Sequence, residues 1–197
     1  PFQGKPGIFD IRFDIENGVL AYLPEWPVAK EVQGELRFHN EGMAAKVKRA
    51  RIMDLDVTGG TVDIPDMLHE THLLLDLKTQ GDLYGHMDYL QSAPIGKGLR
   101  DFMQVAKFAG DSRLHLKLDV PLDGDVFQRK GVAVDGKVSL QNNSFSIPNY
   151  HQAFSKLKGE VHFDQYGVSA DAVTGEYLRQ PVQMKAATHK AKGMITV

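Results

Sequence analysis

The sequence predicts a mainly β protein: an extended, curled antiparallel sheet, groove-like or taco-like, built from repeated strand-turn-strand units with a short helical insert. Three observations predict it. Apolar and charged residues alternate with period two along most of the chain. The turns between the alternating runs are short, whereas parallel neighbours need crossovers of about a dozen residues or more. And one grammar of extended piece, proline, turn and strand is written twice, without a gap, at an offset of 125 residues.

Each element follows in order. Phe9, Ile11, Phe13 and Ile15 alternate with Asp10, Arg12 and Asp14, and this run reads as a strand ending at the turn Asn17-Gly18. The stretch VLAYLPEWPVAKEVQGELRFHNEGM then runs into Pro24 and turns through Glu25, Trp26 and Pro27. Its next strand begins Gly34-Glu35 and ends at Phe38. Asn40-Glu41-Gly42 leads into Met43, Ala45 and Val47, and Met53, Leu55 and Val57 follow. A turn at Thr58-Gly59-Gly60 precedes Val62/Ile64 and then Leu73/Leu75/Leu77. Helical spacing interrupts the rhythm at His86 to Leu90 and again at Leu99 to Phe108, where Leu99, Phe102, Met103, Ala106 and Lys107 recur three and four apart. Pro94 and Gly96 separate the two pieces.

Alternation resumes with Leu114, Leu116, Leu118 and Val120 against Arg113, His115, Lys117 and Asp119. After the turn Asp123-Gly124-Asp125 come Val132, Val134, Val138 and Leu140, alternating with Ala133, Asp135, Lys137 and Ser139. Asn142-Asn143 reads as a hairpin turn. The second copy of the grammar, FSIPNYHQAFSKLKGEVHFDQYGV, then uses Pro148, the turn Asn149-Tyr150-His151, Gly159-Glu160, Phe163, Gly167 and Val168. Val182 and Met184 close the series. The chain divides into a first β repeat unit over 1–80, a helical insert over 81–110 and a second β repeat unit over 111–197, expected to form one continuous structural domain of a longer protein. Its start without Met and its end inside strand-like sequence read as those of an interior fragment.

Composition narrows the function classes. The 197 residues are 42% hydrophobic and 24% charged, which is globular, and the net charge of −2 offers nucleic acid no basic field. With no cysteine, disulfides, thiolate zinc sites and thiol nucleophiles are excluded. No apolar run approaches the roughly 20 residues of a spanning helix.

One face of each strand is apolar and must be covered. Burying a Val, Leu, Ile or Phe is worth about 1.5–3 kcal/mol. Baring four on one strand forfeits about 6–12 kcal/mol, comparable with the ~5–15 kcal/mol stability of a whole domain. One short helical pair, each helix only about 10–12 Å wide, cannot cover some ten strands alone. The sheet therefore folds against itself or encloses something apolar. Phe9, Ile11, Phe13, Ile15, Leu114, Leu116, Leu118, Val132, Val134, Val138 and Leu140 are the residues expected to line that interior, with the helical pair capping or gating it.

Catalytic constellations do not assemble. His69-Glu70-Thr71-His72 lacks zincin spacing, and Asp54/Asp56 read as the polar face of a strand. Asp123-Gly124-Asp125 lacks the further oxygen ligands of a calcium loop. There is no nucleophile elbow and no phosphate loop. Asn142-Asn143-Ser144 matches a glycosylation sequon but reads as turn chemistry. Trp26 between two prolines reads as a plug packed on the sheet end. No cofactor, metal or catalytic residue is expected.

The segments Asn17, Leu20, Tyr22, Leu23, Pro24, Trp26, Pro27 and Gly34, Glu35, Leu36, Phe38, Gly42 resemble the recurring motifs of the AsmA-like proteins of Gram-negative bacteria, in particular the YhdP subgroup. The second copy keeps Asn142, Pro148, Gly159, Glu160, Phe163 and Gly167 without the Trp-Pro pair. Leu83 to Ile95 and the DVPL of Asp119 to Leu122 resemble further pieces of that family. The resemblance implies a bridge-like lipid-transfer protein, anchored in the inner membrane and otherwise periplasmic. Phospholipid acyl chains would move along its apolar β-groove toward the outer membrane.

Physics is compatible with that implication. Acyl transfer through water costs about 0.8 kcal/mol per CH₂, so a sixteen-carbon chain meets roughly 12 kcal/mol that an apolar trough removes. One-sided strands without a polar cluster suit such a conduit. They equally suit the alternative, a closed β structural or interaction module of the cell envelope with no lipid ligand. The expected partners are phospholipid acyl chains, neighbouring repeat units of the same protein, and further copies through edge-to-edge self-association.

Overall fold

A computed structural model describes residues 8–21, 26–69, 71–92, 106–125, 127, 131–148, 152–189 and 194–196. Among the described residues the strands and the helix α1 follow in the order β1 (Asp10–Leu20), β2 (Ala29–His39), β3 (Gly42–Ile52), β4 (Leu55–Ile64), β5 (His72–Asp82), α1 (Leu83–Ser92), β6 (Lys107–Ala109), β7 (Asp111–Pro121), β8 (Ala133–Ile147), β9 (Gln152–Asp164), β10 (Gly167–Tyr177), β11 (Gln180–His189) and β12 (Met194–Thr196). They form a single sheet in the order β1-β2-β3-β4-β5-β7-β8-β9-β10-β11-β12. Every pairing is antiparallel, and β1 and β12 end the path without meeting, so the sheet is open. Short β6 pairs with the far half of β8, continuing the line of β7 past Gly110.

The sheet curls because its inner face is short of side-chain bulk at intervals. One row crosses nine strands through successive register partners: Ile15, Gly34, Val47, Gly60, Leu77, Leu116, Gly136, Phe163 and Val168. A Cβ on Gly34 would stand 2.2 Å from the Lys46 carbonyl oxygen, and one on Gly60 2.2 Å from that of Asp76. The Phe163 ring lies over Gly136, 2.0 Å from where its Cβ would be. Glycine in a strand marks close backbone approach, and on a concave face it lets the sheet bend.

The repeated grammar is a repeated geometry. Asn17 and Asn142 (φ 55° and 66°), Glu31 and Lys156 (both 52°), and Met53 and Leu178 (53° and 51°) occupy the left-handed region in pairs. Between β1 and β2 the register skips from Ile15/Gly34 to Gly18/Val32, and between β8 and β9 from Gln141/Lys158 to Asn143/Leu157. Lys30/Arg51 then Gln33/Arg49 recurs as Ser155/Glu176 then Lys158/Thr174. The unit β1–β4 thus recurs as β8–β11, bulges included. The copies part only beyond Gly175/Val182, where Ala170 meets Ala186 while its counterpart Ala45 meets Val62.

These bulges correct three expected turns. Asn17-Gly18, Thr58-Gly59-Gly60 and Asn142-Asn143 do not reverse the chain; they lie inside β1, β4 and β8. Left-handed Asn and glycine serve a bulge as readily as a turn. Asn143, fully buried, accepts from the Gln141 N–H (2.6 Å) and donates to the carbonyls of Asp111 (3.1 Å) and Ala109 (3.4 Å). It thereby ties the bulge to the β6–β7 junction.

The helical insert is also corrected in part. Helix α1 is longer than its expected core, and Lys107 and Phe108, expected in the second helical piece, lie in β6. Phe108 pairs with Phe145 across the ladder, and that pairing outweighs its local helical spacing. Residues 93–105 and the turn residues Tyr150 and His151 lie outside the described residues. Trp26, expected as a plug, is buried in the main apolar cluster.

Candidate functional site

The residues expected to line the interior share the inner face. Register carries this from strand to strand, as in the row Phe13, Leu36, Ala45, Val62, Leu75, Leu118, Val134. They differ sharply in cover. Phe9, just before β1, and Phe13 on it are each 50% exposed and Ile11 39%, whereas Leu114 and Leu116 are 1% and 2% exposed. Leu118, Val134 and Val138 are buried with them, and Ile15, Val132 and Leu140 pack half-buried against the same cluster. The apolar face is therefore continuous but covered at its middle and open at the β1 end.

Little space remains where it is covered. Leu20, Val32, Ile52, Val57, Leu75 and Leu77 surround a void of about 20 Å³, hardly more than the ~10–15 Å³ that holds one water. A far larger hollow of about 580 Å³ lies at the opposite hairpin ends, but Asp63, Asp76, Lys117, Asp119, Asp135 and Asp164 line it. Leu74, Leu75, Leu118, Ala133 and Val134 line it as well, so its walls mix charged and apolar groups.

Beyond the covered centre, aromatic rings take over the inner face. Phe108, Phe145, Phe154 and Tyr177 stack across β6, β8, β9 and β10 at centroid separations of 5.4, 6.0 and 5.0 Å. In the first copy, the positions matching Phe145, Phe154 and Tyr177 are Leu20, Ala29 and Ile52, which lie in or against the core beside Trp26.

The outer face is an ion-pair lattice. Arg37 donates two bonds to Asp10 (2.9 and 2.8 Å), Lys48 lies 2.9 Å from Glu35, and Lys137 lies 2.9 Å from Glu160. Those hydrogen bonds hold all three carboxyls below their ordinary range. His72 pairs with Asp119 and His115 with Asp76. His69 and His72 do not converge: His69 sits at a turn bonded to Asp66 (3.1 Å). Glu41, Asp66 and His69 do bring ligand atoms within 4.8 Å of one another. Asp66, however, is engaged in the turn, accepting the N–H groups of Leu68 (2.8 Å) and His69 (2.9 Å).

Helix α1 carries a polar group that the sequence reading missed. Asp82 caps it by accepting the Tyr84 N–H (2.8 Å). Leu83, His86, Tyr89 and Leu90 face inward. His86, fully buried, bonds Thr79 through Nε2 (2.9 Å) and Ser112 through Nδ1 (2.8 Å). Its place three residues from both Leu83 and Tyr89 was the available signal.

Burial pushes the His86 imidazole down to about 4, against a smaller upward pull from Asp82. The folded protein therefore holds it neutral, while an unfolded chain protonates it below about 6.5. Stability present above pH ~6.5 is lost as pH falls toward 4, by up to about 3 kcal/mol. His86→Gln should destabilise at pH 7 by about 1–2 kcal/mol, and urea midpoints should show the gap to wild type narrowing toward pH 4.5.

A family model described as YhdP protein matches residues 1–197. Intermembrane phospholipid transporter YhdP of Escherichia coli (strain K12) is 27% identical over 189 residues, 95% of this chain. The chain spans 14% of the length of that relative. No solved structure matches it. Among the described residues, no helix is long and apolar enough to cross a membrane.

Proposed function

Because this chain belongs to the YhdP protein family, we propose that it is a segment of a periplasmic bridge that carries phospholipid acyl chains between the inner and outer membranes. One observation carries the reading. The inner-face row from Ile15 to Val168 crosses nine strands without a polar side chain. It runs across the strands, along the direction in which an open sheet lengthens by adding units. A conduit needs such a track, since a tight polar site would trap the cargo.

On this reading the chain is one continuous structural domain of an inner-membrane-anchored protein and performs no catalysis. Its neighbours are repeat units of the same protein, docked at the free edges of the sheet, where isolated copies would also associate. The half-exposed row Phe9, Ile11, Phe13 is the face that continues into such a neighbour.

The tight packing around the 20 Å³ void favours a second reading, a closed structural module of the envelope. Two substitutions in the full-length protein separate them. Ile11 is on the apolar face and Arg12 on the charged one, and both are exposed enough to change without unfolding the chain. The conduit reading expects Ile11→Asp to impair phospholipid transport and Arg12→Asp to spare it. Equal effects at equal expression would select the structural module.

A further inference from the structure

Helix α1 lies inside the trough. Leu83, Tyr89 and Leu90 are 4%, 2% and 1% exposed and belong to the same apolar cluster as Leu55, Leu77 and Leu114. Gly85 lets the helix settle on β4, since a Cβ there would already be 3.2 Å from Leu55 Cδ2. At its end, Ser92 Oγ lies 3.9 Å from Met53 Sδ at the β3–β4 hairpin. On its other side, His86 bridges β5 and β7 through Thr79 and Ser112, and the Leu83 N–H donates to the Gly110 carbonyl (2.8 Å). The helix thus straddles the apolar face from β4 to β7, and the face is more open on both sides, at Phe13 on β1 and at the half-buried rings of Phe145 and Phe154.

We infer that α1 is a displaceable plug, occupying the stretch of apolar track that an acyl chain takes when lipid passes. This rests on the conduit reading. Acyl methylenes would take over the apolar cover of the sheet that the helix side chains now provide. Its polar hold on the sheet is small, His86 on two neutral hydroxyls and the Leu83 N–H on the Gly110 carbonyl, and such bonds are individually modest.

The test uses the full-length protein in cells. Met53→Cys and Ser92→Cys, placed in a stretch with no native cysteine, are joined by a short thiol crosslinker or left reduced. A benzoyl-phenylalanine at Phe13 or at Phe154 reports lipid on either side of α1. With the pair reduced, both probes should capture phospholipid; with α1 joined to the hairpin, capture should be lost on one side and kept on the other. Capture unchanged at both probes after joining would overturn the plug and leave the conduit standing. Capture at neither probe in the reduced protein would remove the conduit reading, and the plug with it.

Discussion

Leu114→Asp should cost the fold about 3–6 kcal/mol, while Arg113→Asp beside it should change stability by less than about 0.5 kcal/mol. Leu114 is 1% exposed on the inner face and sits between Thr79 and Val138 in register. The substitution forfeits about 1.5–3 kcal/mol of burial and leaves a carboxyl that stays protonated and poorly satisfied, worth about 1–3 kcal/mol more. Against a stability of ~5–15 kcal/mol that is a large share. Arg113 faces solvent between Gln80 and Ser139, so a charge of either sign is tolerated. Urea midpoints of the two variants check the contrast. They also show why charges on β1, where the face is open, are the cleaner probes of transport.

The second large effect is expected at Gly60. A valine there would drive its Cβ to 2.2 Å from the Asp76 carbonyl oxygen and 2.7 Å from Leu77 Cδ2. The leucine can move, but the carbonyl belongs to β5 and cannot yield without parting β4 from β5. Overpacking costs about 1–3 kcal/mol where side chains can adjust, and a backbone clash belongs at the top of that range or above it. For a chain of this size that lowers the melting temperature by about 5–10 °C. Gly124→Ala meets nothing within 4 Å and should melt with the wild type. A Gly60→Val protein that melts normally would mean that the sheet curls without its central glycines.

Most strands were legible because one face of each is charged and the other apolar, and period two needs no partner to be visible. The bulges were not. Asn17-Gly18 and Asn142-Asn143 have turn chemistry, and only the pairing that continues on both sides of them shows that the strand runs through. Lys107 and Phe108 carried helical spacing, but the ladder to β8 decided their conformation. Family and fold class were readable from the motifs around Trp26 and Gly34. The cover over the candidate site was not readable. Phe13 and Leu116 stand in the same alternation, yet one is 50% and the other 2% exposed. That difference comes from how the sheet curls and where α1 lies, and both depend on contacts distant in sequence.

Photocrosslinking at Ile11 and Arg12 of the full-length protein in cells distinguishes a lipid surface from a packed core on the apolar face. The two side chains point to opposite faces of β1, so each controls for the other. Phospholipid should be captured at Ile11 and none at Arg12. Ile11 crosslinked only to protein, with no lipid at either position, would contradict the lipid surface and make the face a packed structural core.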